Sequence, residues 1–356
     1  MPIVQRPRLS GPKPDPLVPT VFHNRWWIEA ATGGDYHEAE LRSGGQTVGR
    51  FPYVLRRRYG IHRLSTMPEL THFLGPAIDP GPGGAATQSL RHFQITQELL
   101  AKVTPASGFY HKLHRGIGDT LAFEAAGFST QVQFTYEIAP RPESEVWSGM
   151  RDKTRNVIRR AGERWTVVRL DDPAAFSALY DTNLQARGLT NHQHRIETVC
   201  AAALTHGQGQ ILAAIDGSGH ALGAIFVAWD RVSAYYLLAT RTPGSDNGVM
   251  SLLVWQAIRD AAAAGLIFDF DGLGTPGSRL FYTGFGGRIA PRYIACRYSL
   301  GHRATGAVCR TLTAAGGKLA GAWASRPAWP SGWPAAPVQE PAAAITRSMN
   351  ACVLPR

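Results

Sequence analysis

The sequence predicts a mixed α/β protein, with an α+β mixed sheet, built from two similar units in tandem. Residues 89–138 and residues 249–299 share one order of elements: an amphipathic helix, a strand, a loop with glycine, a short helix and a strand. Elsewhere, strand patterns are joined by turns such as Gly44-Gly45, which indicates several antiparallel pairs. A repeat this long favours two α/β units over a solenoid, whose copies are shorter and more numerous.

Composition divides the 356-residue chain into four parts. We expect a flexible Pro-rich head at residues 1–20, a first unit at 21–140, a second unit at 141–302, and a C-terminal helix with a Pro/Ala-rich tail at 303–356. The head and the tail lack apolar periodicity, so we expect them to carry no chemistry. Strands are predicted where apolar runs are bounded by turn residues, at 53–58, 61–64, 109–113, 133–138, 166–170, 211–215, 221–229, 233–240 and 266–271.

The second unit is predicted to open with one basic helix, after a boundary near residues 140–142. Apolar positions recur at helical spacing over residues 147–165. On the other face, Arg151, Arg155 and Arg159 lie four residues apart. Such a stripe is either a solvated helix face or a phosphate-binding surface, because a bound anion would relieve the repulsion between its like charges.

The charge of the chain favours an anionic ligand. The formal net charge is +11, and residues 272–339 contain no Asp or Glu. A positive field of this kind favours a nucleotide, a coenzyme pyrophosphate or RNA. No apolar run is long enough to span a bilayer, and the first residues do not resemble a secretory signal, so we expect a soluble cytoplasmic protein without a membrane span. The four cysteines are too far apart in sequence to indicate a disulfide framework or a zinc site.

The segment after Thr240 has the pattern of a strand, a glycine turn and a helix. Such a turn exposes backbone N–H groups at the helix start, where the helix dipole favours negative charge, so it can hold a pyrophosphate. The alternative is an ordinary capped strand-to-helix turn, which is common in α/β proteins. The candidate pyrophosphate-binding residues are Arg241, Gly244, Ser245, Asn247 and Gly248.

These residues carry a resemblance to a known family. Arg241-x-x-Gly244 resembles the opening of the pyrophosphate signature of the GNAT acyltransferase superfamily, and residues 280–286 resemble its later Leu-Tyr-x-x-x-Gly helix. The duplicated unit, the helix at 153–161 and the strand end at 268–272 resemble the Fem-type branch more specifically. That branch includes aminoacyl-tRNA-dependent peptide-bond formers and uncharacterised acyltransferases.

The resemblance covers about residues 20–300 and implies two tandem GNAT-like domains. Tyr282 stands in the second copy where the first has Phe123, so we expect the second domain to be catalytic and the first degenerate. A phenol can give a proton to the thiolate that leaves when an amine attacks a thioester; the alternative is a tyrosine that only packs. Two departures from the family are Asp246, where the signature has Gly or Ala, and Tyr282, where tRNA-dependent Fem-type proteins have Lys.

Two carboxylates near this tyrosine are candidates for the base. Asp269 and Asp271 end a buried strand, where charged groups are costly unless they bind something. One of them could deprotonate the incoming ammonium, directly or through water. The alternative is that they cap the glycine loop beginning at Gly272.

Four further residues are candidates for substrate binding. His192 and His194 alternate in the loop after residue 188. They could be metal ligands or a base, but surface or acceptor-recognition histidines are favoured, since no third ligand is near in sequence. Trp229 and Tyr235 could line an acceptor pocket, with core packing as the alternative.

We therefore expect an N-acyltransferase that moves an acyl group from acyl-CoA to a small-molecule or peptide amine without a metal. Aminoacyl-tRNA is the alternative donor, favoured by the overall charge. The alternative from another class is a non-catalytic RNA-binding protein, which would show strongly salt-dependent binding.

Overall fold

The structure is a computed structural model that describes residues 15–189, 191, 194–246, 248–273 and 276–314. The predictions for His192, for Asn247, for most of the head and for the tail beyond residue 314 fall outside the described residues.

The described elements are ten α-helices, twelve strands and two 3₁₀ turns. The α-helices are α1 (Arg25–Thr32), α2 (Ala85–Lys102), α3 (Leu121–Ala125), α4 (Glu143–Ser148), α5 (Asp152–Arg164), α6 (Pro173–Gln185), α7 (Ile196–Thr205), α8 (Gly248–Ala263), α9 (Pro276–Tyr282) and α10 (Leu300–Ala314). The strands are β1 (His37–Ser43), β2 (Gln46–Arg58), β3 (His62–Thr66), β4 (Ala77–Ile78), β5 (Gly108–Lys112), β6 (Ser129–Ile138), β7 (Thr166–Arg169), β8 (Gly209–Ile215), β9 (Ala221–Trp229), β10 (Ser233–Arg241), β11 (Ile267–Asp269) and β12 (Arg288–Tyr298). Single 3₁₀ turns lie at Val21–His23 and Thr283–Phe285.

All the described strands belong to one mixed sheet, as the sequence predicts. Its order is β1-β2-β3-β5-β12-β6-β11-β10-β9-β8-β7, and β4 pairs with β2 off this path. Most neighbours are antiparallel, whereas β3 with β5 and β10 with β11 are parallel. Parallel neighbours need a crossover connection, and α2 and α8 provide these two.

The last strands of the two repeats exchange places in this sheet. β12 lies between β5 and β6, and β6 in turn lies between β12 and β11. The two strands pair antiparallel from Ser129↔Cys296 to Glu137↔Arg288. The predicted boundary near residues 140–142 therefore follows a first-repeat strand that pairs with two strands of the second repeat, β11 and β12. The division into two GNAT-like domains stays a prediction, and we use "first unit" and "second unit" only for residues 21–140 and 141–302.

Side chains of β10 alternate between two cores on opposite faces of the sheet. Ala234 and Tyr236 pack with residues of α5 and α8, and we call this side the α8 face. Tyr235 and Leu237 pack with residues of α1, α6 and α7, and we call that side the α7 face. A third core lies in the first unit beneath α2.

The single helix predicted over residues 147–165 is wrong, because the structure has two helices there, α4 and α5. The segment between them packs against the end of the second repeat. Arg151 N donates a hydrogen bond to Gly284 O at 3.0 Å. A Cβ on Gly286 would lie 2.2 Å from Gly149 O, and Gly286 has a φ of 78°, so only glycine fits there.

Most predicted strands are confirmed with shifted bounds. β2 extends the predicted 53–58 back to Gln46, because it forms a hairpin with β1. β11 is shorter than the predicted 266–271, since the chain turns at Asp271, which has a φ of 58°. No helix among the described residues is long and apolar enough to cross a membrane.

Candidate active site

The parallel pair of β10 and β11 opens into a fork in the middle of the sheet. The two strands pair over three residues only, and the last pair is Tyr235↔Asp269. β10 continues to Arg241 with a register shift after Tyr236. Beyond Tyr235, none of the strands that the structure describes pairs with β10 on the side of β11. Backbone N–H and C=O groups need partners, so this edge of β10 can bind the polar groups of a ligand.

Tyr282 lies at this fork, on the α8 face. Its ring stacks on that of Phe270 with the centroids 4.4 Å apart, and it meets Tyr236 edge-on at 6.2 Å. Phe270 and Tyr236 are the first residues beyond the last pair of β10 and β11. The phenol therefore packs against both strands at the point where they diverge. Burial raises the pKa of Tyr282, so its hydroxyl is protonated at neutral pH and can serve as a proton donor.

Asp269 lies on the opposite, α7 face, because it alternates with Phe270 along the chain. Its carboxylate accepts hydrogen bonds from Thr135 Oγ1 at 2.5 Å, from Asp271 N at 2.8 Å and from Arg292 Nη2 at 2.7 Å. Burial raises the pKa of Asp269, and the Arg292 guanidinium opposes this shift. Both carboxylate oxygens are engaged, so the geometry favours a positioning role for Asp269 over that of a base.

Sequence reasoning missed the buried ionic cluster around Asp269. Arg292 on β12 contacts Glu137 on β6 as well, with 2.5 Å between Nη2 and Oε1. Arg115, which follows β5, lies 3.5 Å from Glu137 and donates to Ser233 Oγ on β10. The cluster thus joins the exchanged strands to the fork. No local pattern could reveal it, because its members come together only through the exchange of β6 and β12.

Asp271 also lies on the α7 face, where it meets a second residue that the sequence did not indicate. Its carboxylate contacts Nδ1 of His72, which belongs to the first-unit segment between β3 and β4. The His72 side chain is 14% exposed and that of Asp271 only 1%. Burial, followed by the nearby Lys112 ammonium, lowers the pKa of His72, so its imidazole is neutral at neutral pH. Burial also lowers the pKa of Lys112, to about 8.

The turn predicted to bind a pyrophosphate is compact. Gly244 has a φ of 81°, which favours glycine there. Ser245 N and Oγ both donate to Thr242 O, at 3.2 and 2.7 Å. The backbone oxygen of Arg241 accepts a hydrogen bond from Arg187 at 2.6 Å. The Ser245 hydroxyl is therefore engaged within the turn itself.

A carboxylate of the chain occupies the start of α8. Asp246 Oδ1 accepts a hydrogen bond from Gly248 N at 2.8 Å, and its Oδ2 lies 3.3 Å from Arg164 Nη1. Asp246 is thus a helix cap at the position where the signature has Gly or Ala. It engages an N–H group that a pyrophosphate would need at this helix start.

The three stripe arginines lie at the start and along one side of α5. Arg151 Nη2 donates to Thr283 Oγ1 at 2.7 Å, next to the phenol in the sequence. Arg155 pairs with Asp152, whereas Arg151 and Arg159 remain exposed. The stripe therefore lies beside α9, and two of its guanidinium groups face solvent.

The remaining candidates lie apart from the phenol. His194 lines a cleft of about 310 Å³ with Arg56 and Glu69 of the first unit. Tyr235 packs on the α7 face, and its hydroxyl donates to Asp230 Oδ2 at 2.7 Å. Trp229 ends β9 and packs in part against the α8-face core. In the described part of the chain no group of three or more His, Cys, Asp or Glu side chains is placed to hold a metal ion.

Comparison with known proteins agrees with this geometry. Residues 148–278 match the model of a family described as an acetyltransferase (GNAT) domain. The matched segment contains α5, the turn at the start of α8 and both strands of the fork. No curated protein matches the chain by sequence.

Three solved structures are similar in fold. FemX is 12% identical, with a TM-score of 0.60 over 84% of this chain and 96% of that one. The C-terminal domain (DUF2156) of a putative lysylphosphatidylglycerol synthetase from Agrobacterium fabrum is 14% identical, with a TM-score of 0.53 over 80% and 96%. L-PGS from Bacillus licheniformis is 12% identical, with a TM-score of 0.52 over 80% and 90%. Residues 148–278 therefore match a GNAT acetyltransferase domain, and the chain shares its fold with FemX.

Proposed function

We propose that the protein is an N-acyltransferase that moves an acyl group from acyl-CoA to the amine of a small molecule or peptide. The position of Tyr282, between the diverging ends of β10 and β11, is the observation that supports this proposal most directly. There a phenol that is protonated at neutral pH lies beside an edge of β10 that none of the described strands covers. An acyl group in the fork would have backbone donors on one side and a proton donor on the other.

The reaction needs no protein nucleophile. The amine nitrogen attacks the acyl carbon, a C–N bond forms, and the C–S bond of the thioester breaks as the tetrahedral intermediate collapses. Backbone N–H groups at the edge of β10 stabilise the oxyanion. Tyr282 gives its proton to the leaving thiolate, and the amine loses one proton. Holding donor and acceptor together in the fork supplies the orientation that raises the rate.

The family match and the turn at Arg241–Gly248 support acyl-CoA as the donor. GNAT-type turns hold a pyrophosphate on the backbone N–H groups at a helix start. Here the exposed Arg159 lies on α5 and the exposed Arg151 directly precedes it, and α5 packs against α8. These guanidinium groups are the candidate partners for the coenzyme phosphate that is not part of the pyrophosphate.

A second candidate donor is an aminoacyl-tRNA, and Asp246 favours it. The carboxylate of Asp246 accepts from Gly248 N where a pyrophosphate would bind. A tRNA donor does not need that N–H group, because its phosphates can be held by arginines elsewhere on a chain with a net charge of +11.

Binding measurements distinguish the two donors. Acetyl-CoA and bulk uncharged tRNA are each titrated into the protein calorimetrically, at about 50 mM and about 200 mM salt. Saturable acetyl-CoA binding supports the thioester donor. Absence of acetyl-CoA binding together with tRNA binding that weakens steeply with salt supports the tRNA donor, and no binding of either contradicts both.

Two arginine variants serve as a matched pair in these titrations. Arg159→Gln removes an exposed charge from the α5 stripe, and Arg42→Gln removes one from β1, far from the fork in the sheet order. If the stripe binds phosphates of the donor, Arg159→Gln weakens binding several-fold while Arg42→Gln leaves it nearly unchanged.

A further inference from the structure

His72 lies where the first unit reaches the fork. Its ring is parallel to that of Phe22, with an interplanar angle of 9° and centroids 6.4 Å apart. On the other side its Nδ1 contacts the carboxylate of Asp271, the second residue after β11. The imidazole is therefore fixed both by packing and by a charged partner. Of this pair, the imidazole is the more accessible, at 14% exposed against 1% for the carboxylate.

Asp271 is in turn held by the buried ionic cluster. Its N–H donates to Asp269 Oδ1, and the other oxygen of Asp269 pairs with Arg292. Asp271 also has a φ of 58°, a left-handed conformation that is costly for a residue other than glycine. Such conformations persist where the surroundings enforce them, and they concentrate at functional sites. Here the surroundings direct the Asp271 side chain to His72.

The sheet separates this pair from the phenol. Asp269 and Asp271 lie on the α7 face, whereas Phe270, between them, packs against Tyr282 on the α8 face. Beyond Tyr235 no described strand pairs with β10 on the side of β11, so the backbone pairing that separates the two faces ends there. An acyl carbon at the fork could therefore be approached by an amine from one face while its leaving group departs on the other.

We propose that His72 is the catalytic base that takes the proton from the attacking amine, and that Asp271 is the positioning residue that orients it. This inference rests on the proposed function and assigns the base that it leaves open. It also places the acceptor on the α7 face, reached from the first unit, and the donor on the α8 face.

The amine nitrogen forms the C–N bond, and its proton passes to the ring nitrogen of His72 that is remote from Asp271. The bond from the acyl carbon to the donor sulfur or oxygen breaks, and the leaving atom takes the proton of Tyr282. The imidazolium then releases its proton to solvent and the phenolate takes one up. Asp271 stabilises the imidazolium, as a carboxylate behind a histidine does in other acyl-transfer enzymes.

The test compares two variants of His72 in steady-state transfer. His72→Asn keeps a hydrogen-bond donor near the position of Nδ1 but has no group that can accept the proton. His72→Gly leaves space that free imidazole can fill. Transfer is followed from the donor established by the titrations to a panel of primary amines, such as a polyamine, an amino sugar and a dipeptide. His220→Ala, on an exposed hairpin turn, is the matched control.

Both variants should lose about 100-fold or more in kcat, the usual contribution of a general base, with KM nearly unchanged. Added imidazole should restore activity to His72→Gly in proportion to its unprotonated fraction, but not to His72→Asn. A wild-type kcat in His72→Gly, or a loss that imidazole does not restore, overturns the role of His72 while leaving the proposed function intact. Absence of amine-dependent transfer by the wild type overturns both.

Discussion

Arg292 and Asp269 form the ion pair that joins the exchanged strand β12 to the strand that ends at the fork. Arg292 Nη2 lies 2.7 Å from Asp269 Oδ2, and both side chains are buried, at 6% and 0% exposed. The same nitrogen contacts Glu137 on β6. One guanidinium therefore links three neighbouring strands, β6, β11 and β12, which come from both repeats. Its partner Asp269 also accepts the hydrogen bond from Asp271 N.

Removal of this guanidinium should be among the more destabilising single changes in the sheet. Arg292→Met leaves Asp269 and Glu137 buried with less compensation, and breaking a buried pair in this way costs about 3–5 kcal/mol. The free energy of unfolding, measured by urea denaturation, should fall by that amount. Arg42→Met removes a surface pair with Glu40 instead and should leave the unfolding free energy nearly unchanged.

The loss in Arg292→Met should depend on pH. Burial already raises the pKa of Asp269, and Arg292 lowers it, so the variant raises it further. A carboxyl with a raised folded pKa destabilises the protein as pH rises above its unfolded value of about 3.9, and the penalty is complete above the folded pKa. The difference between variant and wild type should therefore be larger at about pH 7 than at about pH 4.5. An equal loss at both pH values would show that Asp269 stays ionised throughout.

Gly286 should not tolerate a side chain. Gly286→Ala places a Cβ 2.2 Å from Gly149 O in a backbone conformation with φ of 78°, which should cost about 1–3 kcal/mol. Because this contact fixes the end of α9, transfer activity should fall together with the unfolding free energy. Gly217→Ala, at a hairpin turn with nothing within 4 Å of its Cβ, is the control. Equal stability of the two variants would contradict the packing of α9 on residues 149–151.

Asp246 should weaken the binding of a pyrophosphate at the start of α8. Two like charges about 4 Å apart repel by about 1 kcal/mol in water, so Asp246→Asn should lower the Kd of acetyl-CoA about fivefold. The amide keeps an oxygen that can accept from Gly248 N. Asp171→Asn removes an exposed carboxylate elsewhere and serves as the control. An unchanged Kd in Asp246→Asn would show that the pyrophosphate does not lie at this helix start.

Much of the fold could be predicted because it depends on local patterns. Apolar periodicity located α8 and most strands, and the repeat indicated a duplicated unit. The exchange of β6 and β12 could not be predicted, since each strand has the same local pattern whichever repeat it joins. The break between α4 and α5 was missed for a related reason: it depends on Gly149 packing against Gly286, far along the chain.

Some residues of the site could likewise be predicted from local patterns, and others could not. Tyr282 and the turn at Gly244 follow from the order of elements that the sequence displays, whereas the fork depends on where β10 and β11 stop pairing. Tyr282 lies on the opposite face of the sheet from Asp269 and Asp271 because side chains alternate along a strand. The sequence shows this alternation, but the functional hypothesis did not take it into account. His72 and Arg292 have no sequence signal, because their roles arise from contacts with residues that are distant in the chain, such as Asp271 for His72 and Glu137 for Arg292.

Transfer by Tyr282→Phe tests the central claim most directly. Purified wild type and variant are given acetyl-CoA or a mixture of aminoacyl-tRNAs with the panel of primary amines, and acceptor-dependent release of free thiol or deacylated tRNA is measured. The ring and its stacking on Phe270 are kept, so the fold should be unchanged, whereas loss of the proton donor should lower kcat by about 100-fold. Acceptor-dependent release by the wild type that drops in the variant is the predicted result. Release at the wild-type rate in Tyr282→Phe would contradict the role of the phenol, and no acceptor-dependent release with either donor would contradict the proposed function.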